Sequence, residues 1–287
     1  MKKVIYSVMI GGYDDIRPVS ESAGWERVMF TDMPLHELPA GTGWQFRSAC
    51  LNKGVNNVMI NRWYKMHPHE LFPEYDESIY IDANIEIKCF DAIDQNIPSL
   101  DKAGVNIAIT DHIFRDCIYD EALAVVEHKK DTQENVDKTI AVLTSKHYPR
   151  NNGLYENNFI YRRHHDEKVV GLMRHWWRFI NEYSARDQLS LCYLINAHSI
   201  KAACFFGQGV NVRNHQDITF YPNHKKNSVL IGVDIARETK KQKPESKLMS
   251  VKKGIFLLLC NLVPGKKTRA RLRKVIREKN NFKESIL

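Results

Sequence analysis

Along the first two hundred residues, short apolar runs alternate with longer stretches whose apolar positions recur at helical spacing. "KVIYSVMI" (3–10), "RVMFTD" (27–32), "SIYIDANIEI" (78–87) and "VNIAIT" (105–110) are rich in Val and Ile and bounded by turn residues, which predicts strands. "VNNVMINRWYKM" (55–66) carries its apolar residues at helical spacing, and Pro68 stops it. The stretch 120–147 predicts one or two amphipathic helices, "KVVGLMRHWWRFINEY" (168–183) another, and "RDQLSLCYLINAH" (186–198) one more. Strands interleaved with helices predict an α/β fold, with a mainly parallel central sheet flanked by helices on both faces.

Ligands of such sheets bind beyond the carboxyl ends of the strands. Three of the runs end in polar residues suited to that edge: Gly11-Gly12-Tyr13-Asp14, Thr31-Asp32 and Asp82-Ala83-Asn84. Asp82 stands out, because burying a carboxylate without a partner is costly. It can pair with a buried arginine, or it can bind a ligand. Positions i and i+2 of an extended segment point the same way, so Asp82 and Asn84 can share one hard divalent cation, Mn²⁺ or Mg²⁺. Arg62 and Lys65 lie three apart, on one helical face, where they can reach a diphosphate or form a solvated surface. His67 and His69 flank Pro68 and read as structural, since no third soft ligand is near. Of Trp176 and Trp177 at most one can face a site, and core packing suits them better.

Composition narrows the class. With 43% hydrophobic and 26% charged residues, the 287-residue chain can build a substantial core. Six scattered cysteines without a close pair suggest neither a zinc site nor a disulfide framework. The N-terminal run is cut by Gly11-Gly12 and two acids, so it reads as a first core strand rather than a signal peptide. From Lys247 onward twelve Lys/Arg stand against two Glu, which is +10 of a whole-chain +8, so the preceding residues carry −2. That distribution argues against a nucleic-acid-binding core. It predicts three parts: a domain over 1–233, a polar linker over 234–246 and a basic amphipathic tail over 247–287. The tail's apolar run (255–263) is too short to span a bilayer, which needs about 20 residues, and suits an anionic membrane surface instead.

The motifs "GGYDD", "FTD", "RWYKMHPHELFPEYDESIYIDANIEI", "DHIFRDCIYDEA", "GLYENNFIYRRH" and "ARDQLSL" resemble, in this order, the glycosyltransferase-like family catalogued as domain of unknown function 616, within GT-A-type nucleotide-sugar glycosyltransferases. The likeness runs from about residue 5 to residue 195. Asn84 departs from the D-x-D by which such enzymes hold their metal. The resemblance implies a GT-A-like sheet that transfers sugar from a nucleotide-sugar donor to a glycan or lipid-linked acceptor. It puts Gly11, Gly12, Tyr13 and Asp32 near the nucleoside, Arg62 and Lys65 at the diphosphate, and Asp82 with Asn84 at the metal.

A late histidine completing that metal site would be His215, ahead of His198. On the acceptor side, Glu156 would sit in a loop before a strand, and Asp187 in the first turn of a helix capped by Ser184. In an inverting enzyme Asp187 would be the general base, and in a retaining one it would lie near the sugar's reacting face. His112, Arg115 and Gln188 fall within the matching motifs with no role attached. With neither a signal peptide nor a membrane-spanning run read from the sequence, and with the basic tail, the expected setting is bacterial surface polysaccharide synthesis, in the cytoplasm against the inner face of the cell membrane, compatible with an oligomer. The rival classes are a sugar-phosphate nucleotidyltransferase, against which the acidic "GGYDD" turn argues, and a non-catalytic basic membrane-binding protein.

Overall fold

The computed structural model describes residues 1–222, so the expected linker and tail lie outside the described residues. Seven strands form one sheet in the order β3-β2-β1-β4-β7-β6-β8. They are β1 (Lys3–Met9), β2 (Trp25–Thr31), β3 (Gln45–Ser48), β4 (Glu77–Ile81), β6 (Ile107–Asp111), β7 (Tyr155–Arg162) and β8 (Ala202–Cys204). All neighbours pair in parallel except the two pairs that β7 makes. A separate antiparallel ribbon joins β5 (Ile85–Ile87) to β9 (Ile218–Phe220). The α/β architecture with a mainly parallel sheet is the one the alternation of runs predicts.

The central strands are apolar on both sides because both faces are covered. Val4, Tyr6 and Val8 of β1 pack on one face with Trp63 of α1 (Asn57–Met66), Trp176 of α6 (Glu167–Glu182) and Leu194 of α7 (Leu191–Ala197). Ile5 and Met9 pack on the other face with Ile93, Ile97 and Leu100 of α3 (Asp91–Ala103). The 120–147 stretch resolves into α4 (Ile118–Glu127) and α5 (Gln133–Ser145), which share a smaller apolar cluster with Leu189 and Cys192. Trp176 is fully buried and donates Nε1–H to Ser190 Oγ at 3.0 Å, so it belongs to the core as expected.

Local signals place the helix that matters most for the site. The Asn56 side chain accepts the Met59 N–H at 3.0 Å, a cap of the kind that contributes about 1 kcal/mol. At the other end α1 gives way to α2 (Pro68–Leu71), with Pro68 at the first helical position, where its missing N–H costs nothing. Arg62 and Lys65 are thereby fixed beside the carboxyl ends of β1 and β4.

Four local expectations are corrected. The run 78–87 is not one strand: it breaks after Ile81, Asp82–Asn84 form a turn, and Ile85 starts the separate ribbon. Asp82 and Asn84 therefore do not stand at i and i+2 of one extended strand, as the shared face required. Glu156 lies within β7, not in a loop before it. The 186–198 stretch is a 3₁₀ turn (Asp187–Leu189) followed by α7, because Ser190 departs from helical geometry. Ser184 does not cap that turn through its side chain at the expected position; Arg186 immediately precedes it.

Candidate active site

From β1 the chain runs outward through β2 and β3, then returns to form β4 on β1's other side. Such a reversal leaves a crevice at the carboxyl ends of the two strands. A cavity of about 450 Å³ opens there, a size that suits a small-molecule ligand. Val8–Ile10 of β1, the Asp82–Asn84 turn after β4, and Asn61, Arg62 and Lys65 of α1 line it. Because β7 runs antiparallel to β4, it presents its beginning, Glu156–Asn158, at the same edge. The 3₁₀ turn adds Asp187 and Gln188, and the loop after β1 adds Tyr13 and Asp14.

The floor of the cavity is a chain of charges. Lys65 Nζ donates to Asp187 Oδ2 at 2.8 Å and lies 3.2 Å from Asp82 Oδ1. Arg62 sits 3.3 Å from Asp187 Oδ1. Burial alone would raise the pKa of Asp187, but Arg62, Lys65 and Arg186 together hold its carboxyl well below the usual carboxylate range. Burial likewise works against the charge of Arg62, yet Asp187 and Asp82 keep its pKa above the ordinary arginine value. The Tyr80 hydroxyl donates to Asp82 Oδ1 at 2.9 Å. Burial, and then Asp82, push that phenol well above its normal pKa, so it remains a donor. Asp187 is thus an anchor for two cations that stays ionised through the ordinary carboxylate range. A carboxylate so stabilised is a weak base.

Glu156 is set differently. Its two oxygens accept Arg213 Nε–H at 2.9 and 3.0 Å, and Oε2 also accepts from Asn158 at 3.1 Å. Burial dominates and raises its pKa above the ordinary glutamate value, against the pull of Arg213 and Asn158. Next to it, Asn157 is only 4% exposed, yet neither its amide nitrogen nor its oxygen has a hydrogen-bond partner. Buried amides are nearly always paired, and this one, in a residue at the cavity wall, is an exception.

Other candidates fall outside the lining. Asp32 accepts the Gly11 N–H through both oxygens at 2.9 Å, holding a turn in which Gly11 and Gly12 take φ of 68° and 57°. That conformation explains the glycine pair without any ligand. His112 Nδ1 accepts from the Phe114 and Arg115 N–H groups at 3.2 and 3.0 Å, while Arg115 pairs with Glu121 at 2.8 Å. These residues knit the loop into α4. His198 stands 2.9 Å from His175, ring nitrogen to ring nitrogen.

The expected metal ligands are engaged elsewhere. Asp82 already carries the Lys65 ammonium, Asn84 donates its amide to the Tyr221 carbonyl at 2.9 Å, and His215 packs on Phe206 while its Nδ1 accepts the Asp217 N–H. Among the described residues no three His, Cys, Asp or Glu side chains converge to hold an ion. As arranged, the donors do not fit a divalent cation, which needs several free oxygens.

Lys130, Asn157, Asn158, Arg186 and Arg213 also line the cavity and were not singled out from the sequence. The usable signal was "YENNFIYR", where three polar residues lead into an apolar strand.

A family model described as "TOD1/MUCI70, glycosyltransferase-like domain" matches residues 56–229, which include α1, β4, β7 and the 3₁₀ turn. No curated protein matches the chain. Among solved structures, the apo form of the bifunctional glycosyltransferase WbbM is similar at a TM-score of 0.42 and 10% identity. The match covers 71% of this chain and 38% of that one, so the chain spans well under half of that protein's length.

Proposed function

The chain belongs to the TOD1/MUCI70 glycosyltransferase-like family, and from that premise we propose that it transfers a glycosyl group from a nucleotide-sugar donor to a glycan or lipid-linked acceptor. The observation that carries this reading is the cavity at the β1–β4 switch point, floored by Arg62 and Lys65 on the buried Asp187. The diphosphate of a sugar nucleotide gains negative charge as the sugar departs. Preorganised cations beside it stabilise that change without having to reorient.

In this reading Asp187 positions Arg62 and Lys65, and those two face the departing diphosphate. Glu156 accepts the proton of the acceptor hydroxyl, its raised pKa making it the better base of the two carboxylates. Asn157 supplies hydrogen bonds to the bound sugar. The Mn²⁺ or Mg²⁺ expected from the sequence enters no step. A GT-A-type classification, a role in surface polysaccharide and attachment to an anionic membrane through residues 247–287 are parts of the proposal that rest on sequence alone.

The test is a panel of UDP- and GDP-sugars incubated with the full chain, with nucleoside diphosphate release measured chromatographically. At least one donor should be turned over at least about tenfold faster than in the enzyme-free blank. No turnover and no binding of any member of the panel would overturn the assignment.

A further inference from the structure

The two ends of the cavity are neutralised unequally. At the α1 end, Arg62 and Lys65 have Asp187 and Asp82 as partners. At the α4 end, Lys130 and Arg186 line the wall, and among the described residues neither side chain comes within ion-pair distance of a carboxylate, although Arg186 acts on Asp187 from farther away. Arg186 Nε is buried with no hydrogen-bond partner at all. Arg213 lies with them and gives its Nε–H to Glu156.

This crowding of cations is built into the fold. The Lys130 N–H donates to Val125 O at 2.9 Å, closing the end of α4. The next residue, Asp131, accepts the Ser184 hydroxyl at 2.6 Å, and the same Ser184 oxygen accepts the Arg186 N–H at 3.2 Å. Ser184 is 1% exposed, and its own N–H is held by Thr139 Oγ1 at 3.1 Å. One buried serine therefore joins the turn carrying Lys130 to the segment carrying Arg186. Like charges brought together repel more strongly as water is removed. Lys130 registers this: partial desolvation, then Arg186, Arg115 and Arg213, hold it below the ordinary lysine range despite Glu121. A bound anion would relieve the repulsion, and an ammonium beside a guanidinium makes charge-assisted hydrogen bonds to carboxylate or phosphate.

We propose that Lys130, Arg186 and Arg213 form a subsite for an anionic group, a carboxylate or a phosphate, carried by the acceptor sugar. The assignment to the acceptor rests on the glycosyltransferase reading, in which the donor occupies the switch-point end. The acceptor class it names is an acidic or phosphorylated saccharide.

The experiment titrates the full chain with D-glucuronate, D-glucose 6-phosphate, D-glucose and inorganic phosphate, each with and without saturating UDP or GDP. One acidic sugar should bind at least about tenfold more tightly than glucose or inorganic phosphate, and should do so with nucleotide already bound. Which acidic sugar wins tells carboxylate from phosphate. Lys130→Gln should remove most of that preference and leave nucleotide affinity within about twofold, Lys130→Arg should keep the preference, and Arg186→Gln should remove most of it as well. Equal binding of glucose and both acidic sugars would overturn the subsite. So would inorganic phosphate binding as tightly as the sugars. Mutual exclusion of acidic sugar and nucleotide, or loss of nucleotide affinity in Lys130→Gln, would give the cluster to the donor diphosphate and overturn the proposal. If neither UDP nor GDP binds while an acidic sugar does, the anion subsite stands and the glycosyltransferase reading falls.

Discussion

Lys65 donates to Asp187 at 2.8 Å across 122 residues of sequence, and both side chains are almost wholly shielded from water. The pair ties α1, ahead of β4, to the 3₁₀ turn that follows α6. Its carboxylate also holds Arg62, so three buried charges depend on one another. A buried ion pair adds little net stability over an apolar pair, but breaking one by removing a single partner is severe.

Lys65→Met should therefore cost about 3–5 kcal/mol of folding stability, read from urea unfolding midpoints. Lys65→Met combined with Asp187→Asn should be milder than the two single losses added together, with a coupling of about 1–3 kcal/mol. Strict additivity would mean that the pair is not the anchor described.

Stability should fall in mild acid. Burial first, and neighbouring positive charge second, hold His69, His112 and His164 each down to about 4. An unfolded histidine takes up its proton near 6.5. Between those values the unfolded chain binds more protons, so lowering the pH from about 6.5 to about 4 favours unfolding. Asp187 acts in the same direction further down: its stabilisation is complete above the ordinary aspartate range and is lost as the pH falls below it. Urea midpoints measured from neutral pH downward should show the decline. His69→Phe should flatten it, since both nitrogens of that ring are buried without hydrogen-bond partners. A midpoint that does not move with pH would sink this account.

Glu156→Gln should lower turnover by about 10²-fold or more and leave the donor KM little changed, as expected for loss of a general base. In the wild type, kcat/KM should rise with pH through a pKa above the ordinary glutamate value, because the base works deprotonated. That limb should vanish in the variant. If the KM rises instead while kcat holds, Glu156 binds substrate and is not the base.

Much of the sheet was legible because β1, β2, β4 and β6 are buried on both faces and so appear as Val/Ile runs. The α1 end of the cavity was legible as well: Asp82 follows such a run, and Arg62 and Lys65 sit on a helix that Pro68 terminates. β7 was harder to see whole, since Glu156-Asn157-Asn158 follow its first residue and it closes on Arg162, which is fully buried and donates to Lys65 O and Tyr6 Oη. α3 was hidden by Pro98 within it. Lys130 and Arg186 look like solvated charges in sequence. Only the long-range Asp131–Ser184 hydrogen bond shows that they share a wall, and no periodicity encodes such a contact.

The tail is a separate matter of sequence. Deleting residues 247–287 should abolish salt-sensitive binding to anionic liposomes while donor hydrolysis persists, each basic residue near the surface contributing about 1 kcal/mol. Equal liposome binding with and without the tail would refute the membrane-surface proposal.

Asn157 gives the sharpest separation of stability from function. Both polar atoms of its amide are buried without partners, in a residue that belongs to the wall of the cavity at the end of the central sheet. Leaving buried polar groups unmade costs about 1–3 kcal/mol, a penalty the free protein carries and a bound ligand relieves. Leucine is close to asparagine in size and has no polar atom to satisfy. Asn157→Leu should therefore raise the thermal midpoint of the free protein, by several degrees for a gain of about 1 kcal/mol. It should also weaken sugar-nucleotide binding by about tenfold or more, because the ligand loses its hydrogen bonds to the amide. A residue with a purely structural role gives the opposite result: Asn157→Leu then destabilises the fold and leaves the affinity of the folded fraction unchanged. Calorimetric titration and thermal unfolding of the same variant decide between the two.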